Sequence, residues 1–443
     1  MSIFDKTPPG WQTYDKIAVD DFQTHARISR GPMMKRSINL TLHSVAMATL
    51  AALFVAGFGL FGSTAAVADE VSITIKTGSD KQTDSTTKQP FSGERPAVDV
   101  AVLLDTSNSM DGLIDQAKSQ LWNIVQEFAK AKREGKTPLL RVSVFEYGNT
   151  NLPATEGYIR QVVQLTDDLD KVSEALFALS TSGGDEYCGE VISEAVKRLD
   201  WNGEPNSYKA IFIAGNEPFT QGSVDYKKAC RRAIDHGIIV NTIHCGDYQT
   251  GINGKWKEGA ELAEGKYMNI NQDEQVVHIK CPQDKIIIEL NTELNKTYLW
   301  YGAEEKRKSY ATNQLAQDSN AYGSGGLSSR AATKSSSLYR NVGRDLVDTY
   351  EEDQEAIAKL EVDKFPEEMQ SLSPEQRMEK IESMSKRRAE IKAKLAEANR
   401  ERLAYIAAEK AKSAVESEDA TFGDAFSETV QGQLQESGFE IGN

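Results

Sequence analysis

At 443 residues, with 39% hydrophobic and 26% charged side chains, the chain has room for two or three domains and the make-up of a soluble globular protein carrying a more polar part. Its 66 acidic residues outweigh 51 basic ones, for a formal charge of −15, which argues against nucleic acid because phosphate binding needs clustered Lys and Arg. The same balance suits cation binding and basic partners, and solubility alone accounts for it equally well.

The N-terminal extension, residues 1–68, holds Met34-Lys-Arg36, an apolar stretch from Val45 to Gly62, and Ala66-Val67-Ala68 just before Asp69. Basic start, apolar middle and small-x-small end are the parts of a secretory signal. The stretch is slightly long for a signal core and just long enough to cross a bilayer, so a signal peptide cleaved after Ala68 is favoured, with an uncleaved signal anchor as the alternative and the only expected tie to a membrane. Either way the reading is an exported protein: periplasmic, secreted or in the cell envelope. Residues 69–95, rich in Ser, Thr, Lys and Asp, read as an exposed leader. All four cysteines (Cys188, Cys230, Cys245 and Cys281) lie in the exported part. An oxidising compartment then predicts at least one disulfide among them, with no pairing favoured over another.

From 96 to 271, strand-like and helix-like segments alternate. Val98–Asp105, Leu140–Tyr147, Gly157–Leu165, Ala210–Ala214, Ile238–His244 and Tyr267–Ile270 read as strands, and Leu113–Lys132, Leu169–Ala178, Gly189–Leu199, Val224–His236 and Gly259–Glu264 as helices. This predicts an α/β fold with a doubly wound, mainly parallel six-stranded sheet. Residues 272–323 read as a small β-rich extension, from strand-like runs at Val276–Lys280 and Ile286–Leu290. Residues 324–337 have the Gly/Ser content of a linker. Residues 338–414 form a helical region in which Ser373-Pro-Glu-Gln376 has the form of a capped start. A stripe of Met384, Ile391, Leu395, Ala398 and Tyr405, interrupted by Arg388 and Arg402, would pack on its own domain or a neighbouring helix, and offers a route to self-association as a coiled coil. Residues 415–443 read as an acidic, mobile tail with one short helix around Phe422–Leu434.

The segment richest in chemistry is Val98-Asp-Val-Ala-Val-Leu-Leu-Asp105-Thr-Ser107-Asn-Ser109-Met110. An apolar run buried on both faces delivers one carboxylate and two hydroxyls to the carboxyl end of a strand, where open α/β sheets place ligands. Three oxygen donors in a tight turn suit a hard cation, Mg2+ or Ca2+. This segment resembles the metal-ion-dependent adhesion site of von Willebrand factor type A domains. The resemblance implies a second loop at Ser182-Gly-Gly-Asp185-Glu186, with Asp185 in the place of the usual Thr. It also implies a third loop at Gly215-Asn216-Glu217-Pro218-Phe219, with Gly215 where the family has Asp. The implied site is Asp105, Ser107, Ser109 and Asp185 around one divalent cation, with Asn216 or Glu217 in the outer shell. Phe212–Gln221, Asn241–Gly246 and Asn295–Tyr298 extend the resemblance to uncharacterised exported bacterial proteins with a type A domain, over most of 95–415.

No Walker phosphate loop, Gly-x-Ser-x-Gly elbow or dinucleotide fingerprint is present, and the chain is read as not an enzyme. The expected function is that of an exported protein-binding module of the cell envelope, engaging a protein partner at the metal-loop face. The alternative is a structural or assembly protein whose C-terminal helices make the contacts and whose metal site is a relic.

Overall fold

The computed structural model describes residues 95–273, 276, 278–412 and 421–442. The signal or anchor and nearly all of the leader therefore lie outside the described residues. Among the described residues, no helix is long and apolar enough to cross a membrane.

Six strands form the main sheet: β1 (Ala97–Asp105), β2 (Leu139–Tyr147), β3 (Ile159–Thr166), β4 (Tyr208–Gly215), β5 (Ile239–Cys245) and β6 (Tyr267–Ile270), in the order β3-β2-β1-β4-β5-β6. All neighbours are parallel except β2 and β3, which run antiparallel with an irregular register near Val144. β1 is central because its run of Val, Ala and Leu can be buried on both faces, as an inner parallel strand requires. Leu104 lies between Glu146 and Ala214, and Asp105 sits level with Tyr147 at the point where the sheet ends.

Helices cover both faces. Val98, Val100, Leu104, Val142, Val144 and Phe212 face a core closed by α1 (Asp111–Ala129) and α2 (Leu169–Phe177). Ala101, Leu103, Phe145, Ile211 and Ile213 face a second core under α3 (Cys188–Arg198), α4 (Tyr226–Asp235) and, beyond the short α5 (Tyr248–Asn253), α6 (Trp256–Glu261). The fold and the six strands are as expected.

The remaining helices are α7 (Gln283–Asn295), α8 (Glu304–Gly323), α9 (Leu327–Ser335), α10 (Leu346–Glu352), α11 (Gln354–Ala358), α12 (Glu367–Gln370), α13 (Pro374–Lys412) and α14 (Phe422–Glu436). Here four expectations are corrected. The β-rich extension is helical over Gln283–Asn295. Three consecutive Ile residues suggest a strand, yet Ile287, Asn291 and Leu294 are buried at helical spacing, and packing overrides β-propensity.

The Gly/Ser segment is no linker either. Leu327–Ser335 is a buried helix whose Ser and Ala side chains let neighbours approach closely, and it carries Arg330 and Lys334 inward. The tail, in turn, is ordered over 421–442. α14 has a Thr421/Asp424 capping box, and Phe426 stacks on Phe212 with ring centroids 3.9 Å apart. Gln433 accepts from the Tyr208 hydroxyl at 2.7 Å and bonds Asn241 in both directions. The last helix of the chain thus completes the sheet's first core. Finally, the four cysteines are free and buried, packed as small apolar side chains rather than cross-links.

α13 begins as the sequence predicts, with Ser373 and Gln376 exchanging hydrogen bonds. Its stripe is covered by the chain itself. Arg388 donates to Asp345 (2.6 Å), to Asp348 (2.8 Å) and to the Thr297 carbonyl (2.6 Å), and lies 4.2 Å over the Tyr298 ring. The arginines that interrupt the stripe are therefore the residues that lock it against α7 and α10, and Ile391, Leu395 and Ala398 join the sheet core. The described residues form one compact unit.

Candidate functional site

The site lies at the carboxyl end of β1. Asp105 is fully buried, and its Oδ1 accepts the Ser107 backbone N–H at 2.8 Å, which closes the turn. Its other oxygen, Oδ2, is buried without a hydrogen-bond partner. A buried carboxylate oxygen left bare is costly unless something neutralises it. Burial pushes the Asp105 carboxyl up to about 6; the Ser107 hydrogen bonds oppose it, Glu217 adds a further upward push, and the nearby Asn216 backbone N–H acts downward. Ser107 and Ser109 share a hydrogen bond between their hydroxyls at 3.2 Å, so both oxygens sit on one side of the turn.

The second loop is fastened to the first by backbone: Ser182 N–H donates to the Thr106 carbonyl at 2.9 Å, and Thr150 N–H to the Gly183 carbonyl at 3.0 Å. Asp185 and Glu186 are neighbours in the chain with opposite exposure. Asp185 is exposed and accepts from the Tyr187 hydroxyl at 3.1 Å. Glu186 is the residue that turns inward, with 5% of its surface exposed. A Cβ placed on Gly148 would lie 2.7 Å from Glu186 Cγ and 3.0 Å from Asp105 Oδ1, so the two carboxylates flank one glycine. Burial, then the charges of Asp105 and Glu217, push the Glu186 carboxyl up to about 8.

The third loop brings Asn216 and Glu217. Asn216 Nδ2 donates to Ser109 Oγ at 3.1 Å, while its Oδ1 is buried and unbonded. Its carbonyl lies 3.3 Å from His244 Nε2, and burial lowers that imidazole's pKa. Glu217 is half-buried and accepts from Gln221 at 3.2 Å. Gly215 is explained by its neighbours: a Cβ there would meet Tyr147 Oη at 2.5 Å and Asp105 Oδ2 at 3.0 Å. Tyr147, which donates to the Ala214 carbonyl at 3.0 Å, fills that space and leaves no room for a third-loop carboxylate at 215.

The structure thus brings Asp105, Ser107, Ser109, Asn216 and Glu217 together and turns Asp185 away, with Glu186 in its stead. The sequence carried no local signal separating Glu186 from Asp185, since both are acidic and stand just before the N-cap Tyr187 of α3. No Lys or Arg pairs with Asp105 or Glu186 among the described residues. Nor do three His, Cys, Asp or Glu side chains there form a ready-made metal cage. The donor set is instead three carboxylates, two hydroxyls and an amide, all offering oxygen, which fits Mg2+ or Ca2+ rather than a thiolate- or imidazole-seeking metal. Cys188 is no activated nucleophile, because burial holds its thiol well above the ordinary range.

Residues 99–265 match the model of the von Willebrand factor type A domain. Similar solved structures include the conserved hypothetical protein BatB of Bacteroides thetaiotaomicron, 17% identical over 40% of this chain and 91% of that one, with a TM-score of 0.31. The SpRpn10 VWA domain is 14% identical over 40% and 90%, at 0.32. Proximal thread matrix protein 1 of the mussel byssus, with a zinc-occupied MIDAS motif, is 14% identical over 41% and 43%, at 0.31. The chain thus spans 43% of the mussel protein's length. No curated protein matches it.

Proposed function

Residues 99–265 form a von Willebrand factor type A domain, and on that premise we propose a protein-binding module that holds one divalent cation, Mg2+ or Ca2+, at the end of β1. Asp105, Ser107 and Ser109 bind the ion from the first loop. Glu186 takes the second-loop place assigned from sequence to Asp185, and Asn216 and Glu217 complete the outer shell. The observation that carries this reading is the bare, buried Oδ2 of Asp105 beside Glu186, two carboxylates with no basic partner. A divalent cation supplies the missing charge and polarises the open side of the site toward a partner protein. Export to the cell envelope belongs to the same proposal and is supported by the basic, apolar and small-residue succession from Met34 to Ala68.

Melting the cation-stripped protein with and without millimolar Mg2+ or Ca2+ tests the site. A ligand at a hundredfold excess over Kd stabilises by about 2.7 kcal/mol, so wild type should gain several degrees and Asp105→Ala none. A pull-down from envelope extract, with and without chelator, tests the binding role. A partner retained by both Asp105→Ala and chelated protein contradicts it.

A further inference from the structure

The loops around the proposed cation are far more acidic than the chain as a whole. The segments 105–111, 148–158, 180–187, 216–225, 246–255 and 271–273 all meet at the carboxyl end of the sheet. They carry nine carboxylates and a single basic residue, Lys255, which pairs with Glu258 at 3.3 Å. The whole chain, by contrast, has 66 acidic and 51 basic residues, so this face is a concentration of charge and not a sample of the average. Three of the nine, Asp105, Glu186 and Glu217, belong to the inner cluster, where the bare Oδ2 of Asp105 marks a place for a ligand. The other six, Asp111, Glu156, Asp185, Asp225, Asp247 and Asp273, are exposed on the rim.

A divalent ion is neutralised by Asp105 and Glu186 alone. Glu217 and the six rim carboxylates then remain unbalanced, and no positive charge is left over to draw an acidic side chain. Aromatic rings stand among them: Tyr248, half exposed, lies 5.3 Å from Tyr267, and Tyr187, bonded to Asp185, lies 6.1 Å from Tyr158. Acidic side chains beside open aromatic faces form a surface that receives ammonium and guanidinium groups.

We propose that the partner seated on this face is a basic polypeptide segment, whose Lys or Arg side chains meet the acidic rim around the bound cation. The proposal rests on the protein-binding reading above and adds the chemistry of the partner.

The test uses the full exported chain and three labelled peptides of equal length, alternating Gly with Lys, Gly with Glu or Gly with Ser. Fluorescence anisotropy is read at about 0.1 M salt, where the screening length is ~10 Å and distant charge contributes little. The Lys peptide should bind, and the Glu and Ser peptides should not. A rim variant, Glu156→Gln with Asp185→Asn and Asp247→Asn, should lose roughly five- to tenfold in affinity. A control variant with the same charge change far from the loops, Glu304→Gln with Glu355→Gln and Glu361→Gln, should bind as wild type does. Equal loss in both variants would overturn the proposal, since it would mean that net charge alone attracts the peptide. So would preference for the Glu peptide in the presence of cation. The cation melting shift is read on the same samples: a shift without Lys-peptide binding sinks this inference and leaves the cation site standing. Peptide binding that depends on the rim, without any shift, sinks the cation site and leaves the acidic face.

Discussion

Two regions of this molecule bury clusters of carboxylates, and they settle the charge in opposite ways. In the helical region the chain supplies its own cations. Arg330 bridges Asp318 and Asp170 at 2.6 Å each while lying 4.6 Å over Trp122, Lys334 reaches Asp318 and Asn291, and Arg388 binds Asp345 and Asp348. Against the burial that raises it, Lys334 and Arg330 hold the Asp318 carboxyl well below the usual range. At the loop face Asp105 and Glu186 are buried with no such partner, and both are pushed up. Where the chain needs rigid helix packing it neutralises itself. Where it leaves carboxylates facing one another, the neutralising charge has to come from outside, as a proton or as an ion.

The largest expected effect breaks the self-neutralised side. Arg388→Ala leaves Asp345 and Asp348 buried without a cation, and should cost about 3–5 kcal/mol in urea unfolding. A loss below ~1 kcal/mol would mean that the ion pairs are dispensable and that the contrast has no energetic content. On the other side the sign reverses. Glu186→Gln replaces a carboxyl that the cation-free fold must keep protonated beside Asp105, so near pH 7 the cation-free protein should be stabilised by roughly 1–3 kcal/mol, while its response to Ca2+ shrinks. A destabilised variant would show that Glu186 makes a favourable contact of its own. Gly215→Ala is a steric test of the same site. Its Cβ would press on Tyr147 Oη and Asp105 Oδ2, costing about 1–3 kcal/mol and weakening cation binding together.

The pH profile sharpens the comparison most. Glu186 titrates near 8 in the folded state and near its ordinary 4.5 when unfolded, so between those values the folded protein holds the extra proton. Stability of the cation-free protein must therefore fall as pH rises from about 4.5 to 8, with Asp105 adding to the fall between 3.8 and about 6. Asp318 acts oppositely: its depressed folded pKa gives stability above about pH 4 that is lost as pH drops further. Melting temperatures in chelator should decline from pH 5 to 8 and become nearly flat in Ca2+. The Glu186→Gln variant should flatten the decline without any cation.

The sheet was legible in the sequence because the inner strands are mostly apolar, and a run such as Val100–Leu104 reads as buried on both faces. The same run fixed where Asp105, Ser107 and Ser109 emerge. What stayed hidden depended on neighbours distant in the chain. Asp185 and Glu186 are chemically alike, and only the course of the loop past Gly148 decides which turns inward. Leu327–Ser335 has the composition of a linker, and its Arg330 and Lys334 acquire meaning only once Asp170 and Asp318 are placed beside them. The C-terminal tail is acidic overall, but Phe422 and Phe426 are where the sheet's uncovered core lies, a fact no local window contains.

The central claim, that the loop face is completed by an external cation, is tested most directly by titration calorimetry. Mg2+ and Ca2+ are titrated into cation-stripped wild type, Asp105→Ala and Asp185→Asn at one pH near 7. The account predicts one site in wild type, none in Asp105→Ala, and a site close to wild type in Asp185→Asn, whose carboxylate faces away. No binding by wild type, or binding that survives in Asp105→Ala, would contradict it.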